Sequence, residues 1–138
     1  GNKVIMTPFE CSYLYRQEGP HPEGPEYEMA TFSTIPLQKV YNMNPIPSGL
    51  TREEEKNVLG VQASCWSEYM TTLAKWQYMV IPRMIAMAEL GWTPAARKDF
   101  TDFKERLDKH KPFLDALKIN YRTDSGDPAQ PDAKMIRE

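Results

Sequence analysis

The chain has 138 residues, with 17 Lys and Arg against 19 Asp and Glu, for a formal net charge of −2. That near balance excludes a broad nucleic-acid surface, which needs clustered excess basic charge. A hydrophobic share of 41% with 11% aromatics excludes a wholly disordered chain and suits one modest domain with a core of its own.

Val4-Ile5-Met6 is a continuous apolar run that ends at Thr7-Pro8. Such a run predicts a strand covered on both faces, as in a parallel α/β sheet, because a strand with one wet face alternates. Residues 18–50 have a different character: they hold Pro20, Pro22, Pro25, Pro36, Pro45 and Pro47, half of the 12 prolines. Gly19-Pro20-His21-Pro22-Glu23-Gly24-Pro25 cannot form a helix or an inner strand. The segment therefore reads as a Pro-rich loop, with a short helix predicted around Pro36 to Tyr41. Thr51-Arg52-Glu53-Glu54 is a capping-box signature, and its three consecutive glutamates suit the positive end of a helix dipole. The short helix it starts is expected to stop near Gly60.

Gly60-Val61-Gln62-Ala63-Ser64-Cys65-Trp66-Ser67-Glu68-Tyr69 follows, an apolar strand-like run that ends in a ring and then a carboxylate. Residues two apart in a strand share a face, so Trp66 and Glu68 are expected to project together from its end. A ring beside an acceptor suits a sugar, which has one apolar face and a rim of hydroxyls. Glu68 in a structural salt bridge with Arg83 is the competing expectation. Thr72 to Gly91 reads as one largely buried helix, with Trp76, Met79, Val80, Met84, Met87 and Ala88 at helical spacing. Pro82 either kinks that helix or marks its true first turn, and Gly91 is its expected cap. Thr93-Pro94 is expected to begin another helix, with Phe100, Phe103, Leu107, Leu114 and Leu117 as its apolar stripe and Pro112 a point where it can split. Residues 123–138 read as a polar, flexible tail.

The order is strand, long loop, short helix, strand, helix, helix, a βα pattern. Two strands make a poor sheet alone, so the chain is expected to be a piece of a larger barrel or to pair with another copy. Cys11 and Cys65 are expected to stay free thiols. His21 and His110 are far apart and lack ligand-type neighbours, so neither metal nor cofactor is expected. The most apolar segment, Tyr78 to Leu90, is interrupted by Pro82, Arg83 and Glu89 and is too short for a bilayer, so no membrane partner is expected.

Three blocks together resemble glycoside hydrolase family 20, the β-N-acetylhexosaminidases. The first is Val4-Ile5-Met6-Thr7-Pro8 with Ser12-Tyr13-Leu14-Tyr15. The second runs from Val40-Tyr41 through Pro47-Ser48-Gly49-Leu50-Thr51 and Leu59-Gly60-Val61-Gln62-Ala63 to Trp66-Ser67-Glu68. The third is Tyr78-Met79-Val80-Ile81-Pro82-Arg83 with Ala88-Glu89-Leu90-Gly91-Trp92-Thr93-Pro94, and later Leu117 to Arg122. The resemblance implies an α/β fold, the C-terminal fragment of a (β/α)8 TIM barrel, helix-rich with about two parallel-type strands. Residues 1–122 are then its C-terminal portion, carrying the seventh and eighth strands.

It also implies a substrate, terminal N-acetylglucosamine or N-acetylgalactosamine on glycans. In the family's mechanism the sugar's own 2-acetamido oxygen attacks the anomeric carbon, an exception to the two-carboxylate scheme. Tyr13 is implied to position the acetamido group, the catalytic role left to this chain; Trp66 and Glu68 are implied to bind the sugar. The family's Asp-Glu acid/base pair lies on an earlier strand, and this chain has no counterpart. One departure is Tyr15, where the family usually carries an acid or amide. The family also implies a secreted, periplasmic or lysosomal setting. The remainder of the barrel is the expected partner, and self-association is expected where strand edges lie bare. A non-catalytic sugar-binding or assembly module is the alternative reading.

Overall fold

The computed structural model describes residues 1–18, 34–68 and 70–123. Strand β1 spans Val4–Met6 and is followed by a one-turn helix, α1, at Phe9–Ser12. Helix α2 is Leu37–Tyr41, in the place read for a short helix, and α3 is Arg52–Glu55. The capping box is formed as the sequence predicts: the Glu54 amide donates to Thr51 Oγ1 at 3.3 Å, and the Thr51 amide donates to Glu54 Oε2 at 2.8 Å. Strand β2 begins at Val58 and ends at Val61.

β1 and β2 are parallel, with Val4 opposite Val58, Ile5 opposite Gly60 and Met6 opposite Val61. Leu59 is the extra residue of a bulge. Gly60 carries the bulge at φ +153°, a conformation that side-chain-bearing residues rarely adopt.

The stretch read as one helix from Thr72 is two: α4, Leu73–Val80, and α5, Arg83–Trp92. Ile81 is extended between them (φ −102°, ψ 129°), and Pro82 stands just before α5, so it marks a first turn. Gly91 is not the cap; α5 runs through it and ends at Thr93. Thr93-Pro94 begins no α-helix either. A 3-10 turn fills Ala95–Arg97, and the last helix, α6, spans Phe100–Ala116 from a cap at Asp99, whose carboxylate accepts from the Thr101 and Asp102 amides at 2.8 and 3.1 Å. Pro112 does not split α6. The carbonyl it deprives of a donor belongs to exposed Asp108, which water can reach.

The core lies between the helices and the strand pair, built on Leu14, Ile35, Leu37, Val40, Tyr41, Val80, Ala86, Phe103 and Leu107. Tyr41 ties three segments together: its hydroxyl reaches Glu89 on α5 and the backbone of Asp99 at the head of α6. The expectation of a first strand covered on both faces is not met within this chain. Val4 is 43% and Ile5 51% exposed, and Leu59 on β2 is 58% exposed, because the chain's own helices cover one side only. The Pro-rich heptapeptide, His21 and residues 124–138 of the expected polar tail lie outside the described residues. Among the described residues no helix is long and apolar enough to cross a membrane.

Candidate functional site

The β1–β2 ladder does not end where the strands end. After Thr7-Pro8 and the single turn of α1, Tyr13 caps that turn in a non-helical conformation (φ −90°, ψ 82°) and pairs with Ser64 in an isolated parallel bridge. The Leu14 amide donates to the Ser64 carbonyl at 2.9 Å, and the Ser64 amide donates to the Ser12 carbonyl at 2.8 Å. One residue pair beyond the strands' C-terminal ends is thereby fixed in register. It holds Tyr13 directly beside the segment that leads to Trp66.

Trp66 and Glu68 do not stand at the end of a strand, where alternation would set them on one face. β2 stops at Val61, and both residues lie on the irregular segment after it, with Glu68 in a turn closed by the Met70 amide on the Ser67 carbonyl at 3.1 Å. Trp66 is 54% exposed, and Glu68 is exposed. Among the described residues Glu68 has no ion pair or hydrogen bond. The salt bridge with Arg83 is absent: Arg83 faces Glu18 at 3.6 Å.

Tyr13 is half-buried, its ring edge-on to Phe9 at 4.9 Å and to Tyr15 at 6.0 Å. The hydroxyls of Tyr13 and Tyr15 have no hydrogen-bond partner among the described residues. Tyr13 and Tyr15 thus offer rings whose phenols are unengaged among the described residues, while the segment after β2 carries an exposed indole at Trp66 and an exposed carboxylate at Glu68. Such groups can stack on the apolar face of a ring and exchange hydrogen bonds with its hydroxyls.

Cys11 and Cys65, which flank the bridge, are free thiols. Burial pushes both up from the ordinary thiol value, with the Arg83 charge working against this at Cys65 and the Lys39 charge at Cys11. They stay protonated at neutral pH and are poor nucleophiles. No group of three or more His, Cys, Asp or Glu among the described residues is arranged to hold a metal ion. A separate groove of about 330 Å³ lies between residues 44–46 and 90–98, with Trp92 and Lys98 in its lining, and includes none of the three candidate residues.

Sequence reasoning missed Arg83 as a hub. The Arg83 side chain is fully buried and donates to backbone carbonyls of Leu14, Ile35 and Met79. The sequence offers Arg83 as a residue after Pro82 and as a possible partner of Glu68; its carbonyl partners on Leu14 and Ile35 are main-chain atoms far away in sequence and leave no residue-type signal.

This arrangement is a parallel βα unit with aromatic and acidic residues on the segments that follow its strands, the end at which (β/α)8 barrels carry their sites. The profile of glycosyl hydrolase family 20, catalytic domain, matches residues 1–95. A β-hexosaminidase from Porphyromonas gingivalis is 43% identical over 119 residues, covering 86% of this chain and 15% of the relative. A β-N-acetylhexosaminidase from Cellulomonas fimi is 33% identical, covering 88% of this chain and 24% of the relative. Among solved structures, a family 20 exo-β-N-acetylglucosaminidase from Vibrio harveyi in complex with N-acetylglucosamine superposes with a TM-score of 0.76 at 31% identity, covering 93% of this chain and 19% of that one. An N-acetyl-β-hexosaminidase from Streptomyces plicatus gives a TM-score of 0.76 at 27% identity, covering 95% and 25%. The chain belongs to glycosyl hydrolase family 20. It spans between 15% and 26% of the length of the curated relatives it matches. Its fold is part of a (β/α)8 barrel, as the resemblance implied.

Proposed function

We propose that this chain is the C-terminal part of the catalytic barrel of a β-N-acetylhexosaminidase, and that it contributes the sugar-gripping side of the active site. The observation that carries this is the Tyr13–Ser64 bridge, which continues the parallel ladder past the strand ends and sets a phenol beside the segment bearing Trp66 and Glu68. In this reading Tyr13 donates its hydroxyl to the 2-acetamido oxygen and orients it for attack on the anomeric carbon. That donor also steadies the charge of the oxazolinium intermediate as it develops. Trp66 covers the sugar ring or its acetamido methyl, and Glu68 accepts from the hydroxyls at positions 4 and 6. The substrates are glycans ending in N-acetylglucosamine or N-acetylgalactosamine.

The acid/base work falls to an Asp-Glu pair on an earlier barrel strand, since the sequence contains no Asp-Glu dipeptide. The rest of the barrel covers the bare faces of Val4, Ile5 and Leu59, and without it those faces drive self-association.

Hydrolysis of 4-nitrophenyl N-acetyl-β-glucosaminide by a catalytic domain containing this segment tests the reading. Trp66→Ala is expected to lower kcat/KM by roughly 100-fold, the loss typical of an aromatic anchor that its bound partner covers, with Trp66→Phe intermediate. The isolated chain is expected to show no turnover. A Trp66→Ala enzyme with wild-type kcat/KM, or turnover by the isolated chain, overturns the proposal.

A further inference from the structure

Arg83 opens α5, and its guanidinium lies wholly inside the protein. Nη1 donates to the Ile35 carbonyl at 2.9 Å; Nη2 donates to the Leu14 carbonyl at 2.7 Å and also to the Met79 carbonyl. Nε faces the Glu18 carboxylate at 3.6 Å. Burial works against the charged guanidinium, and Glu18 offsets part of that. A well-packed apolar residue commonly serves stability as well as a buried ion pair does, so the pair calls for an explanation beyond stability.

What it grips supplies one. Leu14 is the residue after Tyr13, and its own amide is a rung of the bridge to Ser64. Ile35 is tied to the same segment through its amide, which donates to the Gln17 carbonyl at 2.7 Å. The guanidinium therefore holds the Tyr13 segment from its buried side, while Ser64 holds it in register from the neighbouring strand extension. A planar fork is suited to this: it satisfies carbonyls from separate segments in fixed directions, which an ammonium does not.

We propose that Arg83 is a positioning residue for the candidate sugar site. It clamps the Leu14 carbonyl and so sets where the Tyr13 phenol stands relative to Trp66. The clamp itself rests on geometry; its consequence for sugar chemistry rests on the reading proposed above for Tyr13.

Amide hydrogen exchange on the full chain separates a local clamp from a general stabiliser. Arg83→Lys keeps the charge and loses the fork. It is expected to speed exchange at the Leu14 and Ser64 amides by roughly tenfold or more, with the Phe103 and Leu107 amides of α6 unchanged. Equal acceleration at all four amides, or none at the bridge, overturns the proposal. Should Arg83→Lys fail to fold, Arg83→Gln combined with Glu18→Gln removes both members of the pair together and is read by the same criterion.

A second readout uses turnover of the catalytic domain in a double-mutant cycle. Arg83→Lys is expected to lower kcat about tenfold beside Tyr13 and to have almost no effect beside Tyr13→Phe. Fully additive losses overturn the positioning role. If Tyr13→Phe alone leaves kcat unchanged, the role assigned to Tyr13 fails, and the clamp still stands or falls on the exchange data.

Discussion

Removing one oxygen atom, in Tyr41→Phe, tests whether the helices behind the site are held by polar contacts as well as by packing. The Tyr41 hydroxyl donates toward Glu89 Oε1 at 3.2 Å and the Asp99 carbonyl at 3.0 Å, and accepts from the Asp99 amide at 2.9 Å. The ring is 4.8 Å from Phe103 and 5.5 Å from Phe100, contacts that phenylalanine keeps. Glu89 also keeps its two-pronged contact with Arg106, at 2.7 Å on each oxygen, so its carboxylate is not stranded. The loss falls on the Asp99 backbone, where both the N–H and the C=O lose a partner at the head of α6. With each net hydrogen bond contributing about 0.5–1.5 kcal/mol and Asp99 able to recruit water, the expected cost is about 2 kcal/mol. Urea unfolding followed by Trp fluorescence reads this as a midpoint lower by about 1 M with an unchanged slope, for a slope near 2 kcal/mol/M. A loss below about 0.5 kcal/mol would refute the reasoning, since that is the scatter of substitutions that touch nothing.

Three further outcomes follow from the same geometry. Glu68→Gln is expected to change stability by less than about 0.5 kcal/mol, because Glu68 is exposed and has no partner among the described residues. In the catalytic domain it is expected to lower kcat/KM about tenfold or more, and an unchanged kcat/KM would remove Glu68 from the site. Glu89 is held below its ordinary carboxyl value of 4.5, first by the Arg106 hydrogen bonds. The folded state then binds fewer protons there than the unfolded chain. The stabilisation is complete above 4.5 and is lost as pH falls below it toward the folded value, and a urea midpoint against pH curve should flatten in that window in Glu89→Gln. Pro112→Ala is expected to raise stability by about 1–2 kcal/mol, because an exposed proline inside α6 lacks one helical hydrogen bond, while the entropy it removes from the unfolded chain offsets part of that. A lower melting temperature would contradict this.

The elements most legible in the sequence were those whose cause is local. The Thr51 capping box is written in four adjacent residues and forms as expected. Pro82 allows two outcomes, a kink or a new first turn, and the chain takes the second, since proline both ends one helix and begins another. Local signals failed where two of them competed. Thr93-Pro94 looked like a helix start, yet Asp99 provides the cap that α6 uses, because its carboxylate reaches two amides and its backbone is anchored on Tyr41. The pattern sets Trp66 and Glu68 at the end of one strand, but the paired residues stop at Val61 and return only at Ser64.

By itself, the sequence determined the chemistry on offer: a phenol, an indole and a carboxylate on two βα connections, in an order that matches one enzyme family. It also determined the elements driven by caps, prolines and helical spacing, since those energies act within a few residues. Only the tertiary structure decided that Tyr13 pairs with Ser64, and that a buried guanidinium holds the Tyr13 segment from behind. Both depend on main-chain hydrogen bonds between segments separated by tens of residues. Every residue carries the same backbone groups, so no pattern of side chains announces which of them will meet.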